Sequence, residues 1–200
     1  MDTRTVGYKI FKNITSIGLS DFINKGALFL FNIVVARYLS VKEYGLFSLS
    51  LSVGIYLWSV ADGGVTAHAT KMTAQIGKQK LKDIISFAVP IRFIVSLVVI
   101  LFLATLLFFL RLSFYESLVY LSAFLFLTAM SLFPAWLMRG LQDNLGYFIV
   151  YTFLSIFVLL FLILWLKINF ISKNALSAIF FRNFSYFIGS LFSLIWAVRR

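Results

Sequence analysis

Two hundred residues of which 62% are hydrophobic and only 12% charged cannot build a water-facing surface, since a soluble domain is about half apolar and a quarter charged. The balance of 18 Lys and Arg against 7 Asp and Glu gives +11. These basic residues mostly sit between long apolar runs, where they mark membrane topology rather than a nucleic-acid partner. The absence of cysteine excludes disulfides and thiolate sites, and the single His68 leaves no basis for a histidine metal cluster or any cofactor.

A helix needs about 20 apolar residues to cross the hydrocarbon, because lipid offers no partner to free backbone groups. Six runs meet that length, at about 14–37, 43–66, 84–110, 117–138, 144–166 and 175–198. None alternates with period two, so the chain reads as an all-α integral membrane protein and not a barrel. The first run is too long for a signal-peptide core and is interrupted by Asp21, Asn24 and Lys25, so it reads as a retained helix. Ser40-Val41-Lys42-Glu43 and Ser113-Phe114-Tyr115-Glu116 are S-x-x-E capping boxes for the second and fourth helices. Asp83, Asp143 or Asn144, and Asn174 stand where the third, fifth and sixth should be capped.

In the second helix, Ser48/Ser52 and Ser50/Gly54 are small-xxx-small pairs that permit close approach to a neighbour. A loop is expected around 67–83. The third run, about 40 Å long at 1.5 Å per residue, should tilt or kink near Pro90. Trp136, Trp165 and Trp196 fall near span ends, as interfacial aromatics do.

With the N-terminus inside, cytoplasmic segments hold Arg4, Lys9, Lys12, Lys71, Lys78, Lys80, Lys82, Arg139, Arg199 and Arg200, and the opposite side holds Arg37, Lys42, Arg111, Lys167 and Lys173. Ten against five places both termini in the cytoplasm.

The charges left inside the spans are Asp21, Lys25, Asp62, Arg92 and Arg182. Each costs on the order of 3 kcal/mol at mid-bilayer, so each should face a polar cavity or a partner. Asp21 and Lys25, four apart, share a helix face and can form a structural pair or line a substrate cavity. Arg92 can snorkel to headgroups or enter a cavity, and Arg182 with Asn183 and Ser185 makes one face of the sixth helix polar. Three cations against two acids suit an anion such as a diphosphate. That reading assigns Lys25, Arg92 and Arg182 to substrate, and Asp21 and Asp62 to coupling or a structural ion pair. No P-loop, zinc-protease, nucleophile-elbow or paired-carboxylate motif supports catalysis, so the chain reads as a non-enzyme.

The segment from Ala36 to Ser48 (ARYLSVKEYGLFS) resembles the A-R-x-L-[GS]-x-x-E-[FY]-G stretch of bacterial polysaccharide and O-antigen flippases. Asp62-Gly63-Gly64 resembles that family's D-x-G after its second helix, and the stretch from Trp136 to Gln142 its W-x-x-x-G-x-x segment. The resemblance implies the superfamily joining multidrug antiporters to oligosaccharide-lipid flippases, with two six-helix lobes around a central cavity. Residues 1–200 correspond to one lobe. The implied activity is turning an undecaprenyl-diphosphate-linked oligosaccharide across the bacterial inner membrane by alternating access, for O-antigen, lipopolysaccharide, capsule or exopolysaccharide assembly. Its partners are then that cargo, membrane lipids, and a second copy or separate polypeptide supplying the other lobe. A drug or cation antiporter of the same superfamily and a truncated, non-transporting membrane protein remain open alternatives.

Overall fold

A computed structural model describes residues 3–77, 81–168 and 171–199, with the backbone alone for residues 3–14 and 16. The described elements are helical throughout: α1 Thr3–Tyr38, α2 Val41–Asp62, α3 Val65–Ile76, α4 Leu81–Phe109, α5 Phe114–Leu121, α6 Ala123–Leu132, α7 Ala135–Gly140, α8 Asn144–Lys167 and α9 Ala175–Arg199. Six stretches are long and apolar enough to cross a membrane: Ile17–Tyr38, Val41–Asp62, Leu81–Phe109, Phe114–Gly140, Asn144–Lys167 and Ala175–Arg199. They match the six expected runs. The outer face explains why: Phe22, Phe102, Phe108 and Phe114 are 68–81% exposed, which suits hydrocarbon and not water. The basic side chains of Arg4, Lys9, Lys12, Lys78, Lys80 and Arg200, counted for orientation, lie outside those described.

The fourth span is broken into α5, α6 and α7, whereas α4 runs through Pro90 as one helix. Pro90 and Ser86, whose carbonyl loses its usual donor, both lie on the exposed face of α4. Pro134 acts differently. It holds Phe133 extended (φ −69°, ψ 118°) and ends α6 there. At the upper break, around Ser122, carbonyls are satisfied from other helices. Ser50 Oγ of α2 donates to the Val119 carbonyl at 2.8 Å, and Asn183 Nδ2 of α9 donates to that of Ser122 at 3.0 Å. In a medium without water such bonds replace solvent. Ser50/Gly54 is therefore a packing pair, with Gly54 against Phe126 and Ala123. Ser52 is exposed and bonds back to its own helix at Ser48.

Helix ends follow the sequence with two changes, at Asp83 and at Glu43. Ser113 and Glu116 form a complete capping box, Asp143 Oδ1 caps Gly146 N, and Asn174 Oδ1 caps Ser177 N. Asp83 lies in the first turn of α4, whose described part begins at Leu81. Ser40 Oγ caps Glu43 N, but the Glu43 carboxylate does not return to Ser40. It accepts Ala175 N at 2.6 Å and Tyr115 Oη at 2.6 Å, so it caps α9 and ties α2, α5 and α9 together. An anion at a helix N-terminus is favoured by the exposed amides and the helix dipole. At the same end Lys173 donates to the Trp165 and Ile168 carbonyls, closing the C-terminus of α8.

Two expectations are corrected. Trp136 and Trp165 are 3% and 0% exposed, buried inside the bundle instead of standing at the interface. Each fills a space between helix ends: Trp165 Nε1 donates to Ser177 Oγ, and Trp136 packs over Arg92. The stretch expected as a loop around 67–83 is largely α3, which lies against α7. Their contact is close. A Cβ on Gly140 would stand 2.6 Å from Thr73 Cβ and 2.7 Å from the Thr70 carbonyl.

Gly140→Ala should therefore force α3 off α7 and destabilise the protein by about 1–3 kcal/mol. Gly26→Ala, with nothing within 4 Å, should be neutral or stabilising by up to about 1 kcal/mol. Thermal unfolding in detergent reads both, and equal effects would discard the close-contact argument. By the same measurement Glu43→Gln should cost about 1.5–3 kcal/mol, the worth of hydrogen bonds to a charged group, while Lys42→Gln beside it should change little.

Candidate functional site

At the end of the bundle opposite Glu43, the chain leaves α2 through Gly63 and Gly64, both left-handed (φ 45° and 87°). Glycine adopts this geometry without the clash a Cβ brings. The reversal sets Asp62 beneath the first turn of α3. Its carboxylate accepts Thr66 N at 3.3 Å and Thr66 Oγ1 at 2.5 Å. From α4, Arg92 completes the group: Nη2 donates to Thr66 Oγ1 at 2.5 Å, and Nε lies 3.3 Å from Asp62 Oδ1. The guanidinium carbon is 5.8 Å from the Trp58 ring and 5.5 Å from the Trp136 ring, cation–π distances on two indoles. At 1% exposure, Arg92 turns inward and does not reach for headgroups.

A second cation stands beside it. Arg139, on α7, donates from Nη2 to Tyr147 Oη at 2.7 Å, with its guanidinium 5.0 Å from that ring. Tyr147 lies on α8, and its hydroxyl is 3.5 Å from Asp21 Oδ1 of α1. The Tyr147 and Tyr151 rings are 4.6 Å apart, and Tyr151 meets Phe133 edge-on at 5.0 Å. Between the two arginines lies a recess of about 140 Å³, walled by Trp58, Thr66, Trp136 and Tyr151. The Trp136 Nε1–H is buried with no hydrogen-bond partner among the described residues. Leaving such a donor unmade costs about 1–3 kcal/mol.

The other expected residues lie elsewhere. Lys25 is exposed and Asp21 half-buried. The two do share a face of α1, but Asp21 is drawn toward Tyr147, and the described residues form one ion pair within 4.0 Å, Arg92–Asp62. Arg182 is 7% exposed inside the bundle, 5.0 Å from the Tyr186 ring and 5.8 Å from the Phe126 ring, with Asn183 Oδ1 at 3.4 Å. Its Nε has no partner, and the gap beside it admits no water. Lys25, Arg92 and Arg182 thus occupy three surroundings, and the companion of Arg92 is Arg139. Sequence reading counted Arg139 among the cytoplasmic charges; it is exposed, and its place at the recess was not read. The signal available was its spacing of three from Trp136, which puts both on one face of a helix. Among the described residues no three His, Asp or Glu side chains converge as a metal site.

A family model described as polysaccharide biosynthesis protein matches residues 10–200 of the chain. Searches among curated proteins and among solved structures return no match.

Removing one partner of a buried ion pair strands the other, at about 3–5 kcal/mol. Arg92→Gln should show a loss of that order in denaturant or thermal unfolding, with the Asp62→Asn/Arg92→Gln double variant less stable than wild type by at least about 1 kcal/mol less than the two single losses added. Strict additivity would mean that the pair is not coupled.

Proposed function

The chain belongs to the polysaccharide biosynthesis protein family, and from that premise we propose that it is a lobe of a flippase that turns a lipid-linked oligosaccharide across the bacterial inner membrane. The cargo on this reading is an undecaprenyl-diphosphate-linked oligosaccharide destined for O-antigen, lipopolysaccharide, capsule or exopolysaccharide. Both ends of the six-span segment face the cytoplasm, and a second lobe supplies the opposite wall of the cavity. Alternating access by rocking of two lobes fits a protein assembled from helical bundles.

The observation that carries the reading is the pairing of Arg92 and Arg139 around a recess at one end of a six-span bundle. An arginine fork matches phosphoryl oxygens in pairs, whereas a lysine acts as a point charge. Lys25 on the exposed face of α1 serves as that point charge. Arg92 meets the diphosphate near the recess. Arg182 holds a positive potential inside the bundle, where Tyr186 and Phe126 shelter it. Asp62 holds Arg92 in place, and Asp21 does the same for Arg139 through Tyr147. On the charge balance an anionic cargo is favoured over a cationic one.

Lys25→Ala and Arg182→Ala, placed in the complete assembly that supports polysaccharide export, should each lower surface polysaccharide, Lys25→Ala on the order of tenfold or more as a hydrogen bond to a charged group is lost, and Arg182→Ala through the lost positive potential inside the bundle. Lipid-linked intermediate should accumulate in the inner leaflet. Arg182→Lys, which keeps the charge in the bundle, guards against misfolding. Unchanged export at normal protein levels removes these residues from the mechanism.

A further inference from the structure

Beside the recess lies a wider shelf of about 610 Å³ lined by Asp62, Thr66, Thr70, Lys71, Arg139 and Gln142. Thr66 and Arg139 line both spaces. We propose that shelf and recess form one binding site for a phosphoryl group at the membrane surface, in which Arg139 is the principal ligand and the Trp136 indole N–H a neutral second donor. For the class of ligand the proposal rests on the flippase reading; Lys25 and Arg182 play no part in it.

Three observations select an anion. The linings carry Lys71, Arg92 and Arg139 against Asp62, a surplus of two positive charges. Asp21, set behind Tyr147, reduces the surplus without cancelling it. The free groups are donors. Thr66 Oγ1 already donates to Asp62 and accepts from Arg92, so it has little left for a sugar hydroxyl. Arg92 is enclosed by Asp62, Thr66 and two indoles, though its Nε makes no hydrogen bond among the described residues, and the exposed Arg139 makes one, to Tyr147. Its remaining N–H groups are available, and the tyrosine ring fixes the plane of the fork.

The third observation is Trp136. It is 3% exposed, and its Nε1–H finds no acceptor among the described residues. An acceptor seated in the recess that the indole walls would satisfy that donor. A water molecule takes about 30 Å³ in the liquid, so a space of about 140 Å³ holds a few waters or one phosphoryl group with part of its hydration. A wall that offers an arginine fork and an indole N–H fits oxygen atoms that accept and do not donate, which describes a phosphate or diphosphate. α3, whose Lys71 is exposed, places the shelf at a helix end, where headgroups of either a carrier lipid or a bilayer phospholipid are found.

The test uses the full chain in detergent and in nanodiscs. Inorganic pyrophosphate, titrated at constant ionic strength, should raise the unfolding temperature saturably. Arg139→Gln should weaken this binding tenfold or more, Arg139→Lys less so, and Trp136→Phe about threefold to tenfold, each compared with its own ligand-free baseline. Retention of phosphatidic acid over phosphatidylcholine in nanodiscs, seen by native mass spectrometry and lost in Arg139→Gln, supports the site and names bilayer headgroups as a source. Binding of pyrophosphate without that retention supports it and points to the carrier. No saturable shift with either probe, or equal shifts in wild type and both Arg139 variants, means the recess holds only water and overturns the proposal. Failure here leaves the export assay on Lys25 and Arg182 untouched. Normal binding by a protein that supports no export would count against the flippase reading instead.

Discussion

A guanidinium taken out of water needs partners, and the end of the bundle that carries α3 is arranged around that need. Arg92 is met by a carboxylate, a hydroxyl and two indole faces. These groups come from α2, α3 and α7, and Arg92 itself from α4. Charge burial is costly unless geometry and extra hydrogen bonds offset it, so these four helices are held to one relative arrangement. The left-handed turn at Gly63 and Gly64 is a consequence. Without it, Thr66 could not sit between Asp62 and Arg92. The close approach of α3 to α7 at Gly140 follows in turn, since α3 is anchored at its first turn and sets Thr70 and Thr73 against α7.

The opposite end uses charge differently. There Glu43 meets the backbone amide of Ala175 and the Tyr115 hydroxyl, while Lys173 meets two carbonyls at the end of α8. Both satisfy groups that a helix end leaves unpaired. Between the ends, ties are neutral and small: Ser50 to Val119, Asn24 to Ser155, Ser193 to Val150 and Asn183 to Ser122. Hydroxyls and amides serve in the interior because they need few partners, and a charge needs many. Arg182 is the exception, a buried cation whose neighbours are an amide and two aromatic faces.

Most of this architecture was legible in the sequence. Six apolar runs gave six spans within a few residues, because a bilayer imposes one length and one hydrogen-bonding rule on every crossing. Ser113, Asp143 and Asn174 cap as read, since a cap is a local interaction. What escaped depends on contacts far apart in the chain. The Ser40–Glu43 pattern is half realised because α9, 132 residues away, offers its N-terminus to the same carboxylate. Twelve residues of mixed character in α3 have no span-like hydropathy, so the helix was hidden in a loop. Arg139 and Asp21 were each read by their place along the chain, one among the cytoplasmic charges and the other as a partner for Lys25. Tyr147, which bridges them, carries no charge and gave no signal.

The two ends are joined by α2, which carries Glu43 in its first turn and Asp62 as its last residue. At 1.5 Å per residue, its 22 residues make a strut about 33 Å long. Ser50 and Gly54 fasten its middle to α5 and α6. Sliding α2 along the bundle would break a carboxylate contact at each end and a hydrogen bond at the centre together. α1 lies chiefly along α8, and among the described residues its polar ties include Asn24 to Ser155 and the long contact of Asp21 with Tyr147. α2, α4, α6 and α9 pack on one another, and α1, with Lys25 on its exposed side, joins them through α8. Because Tyr147 touches both Asp21 and Arg139, a movement of α1 would reach the arginine fork at the recess mouth without disturbing the Arg92 pair behind it.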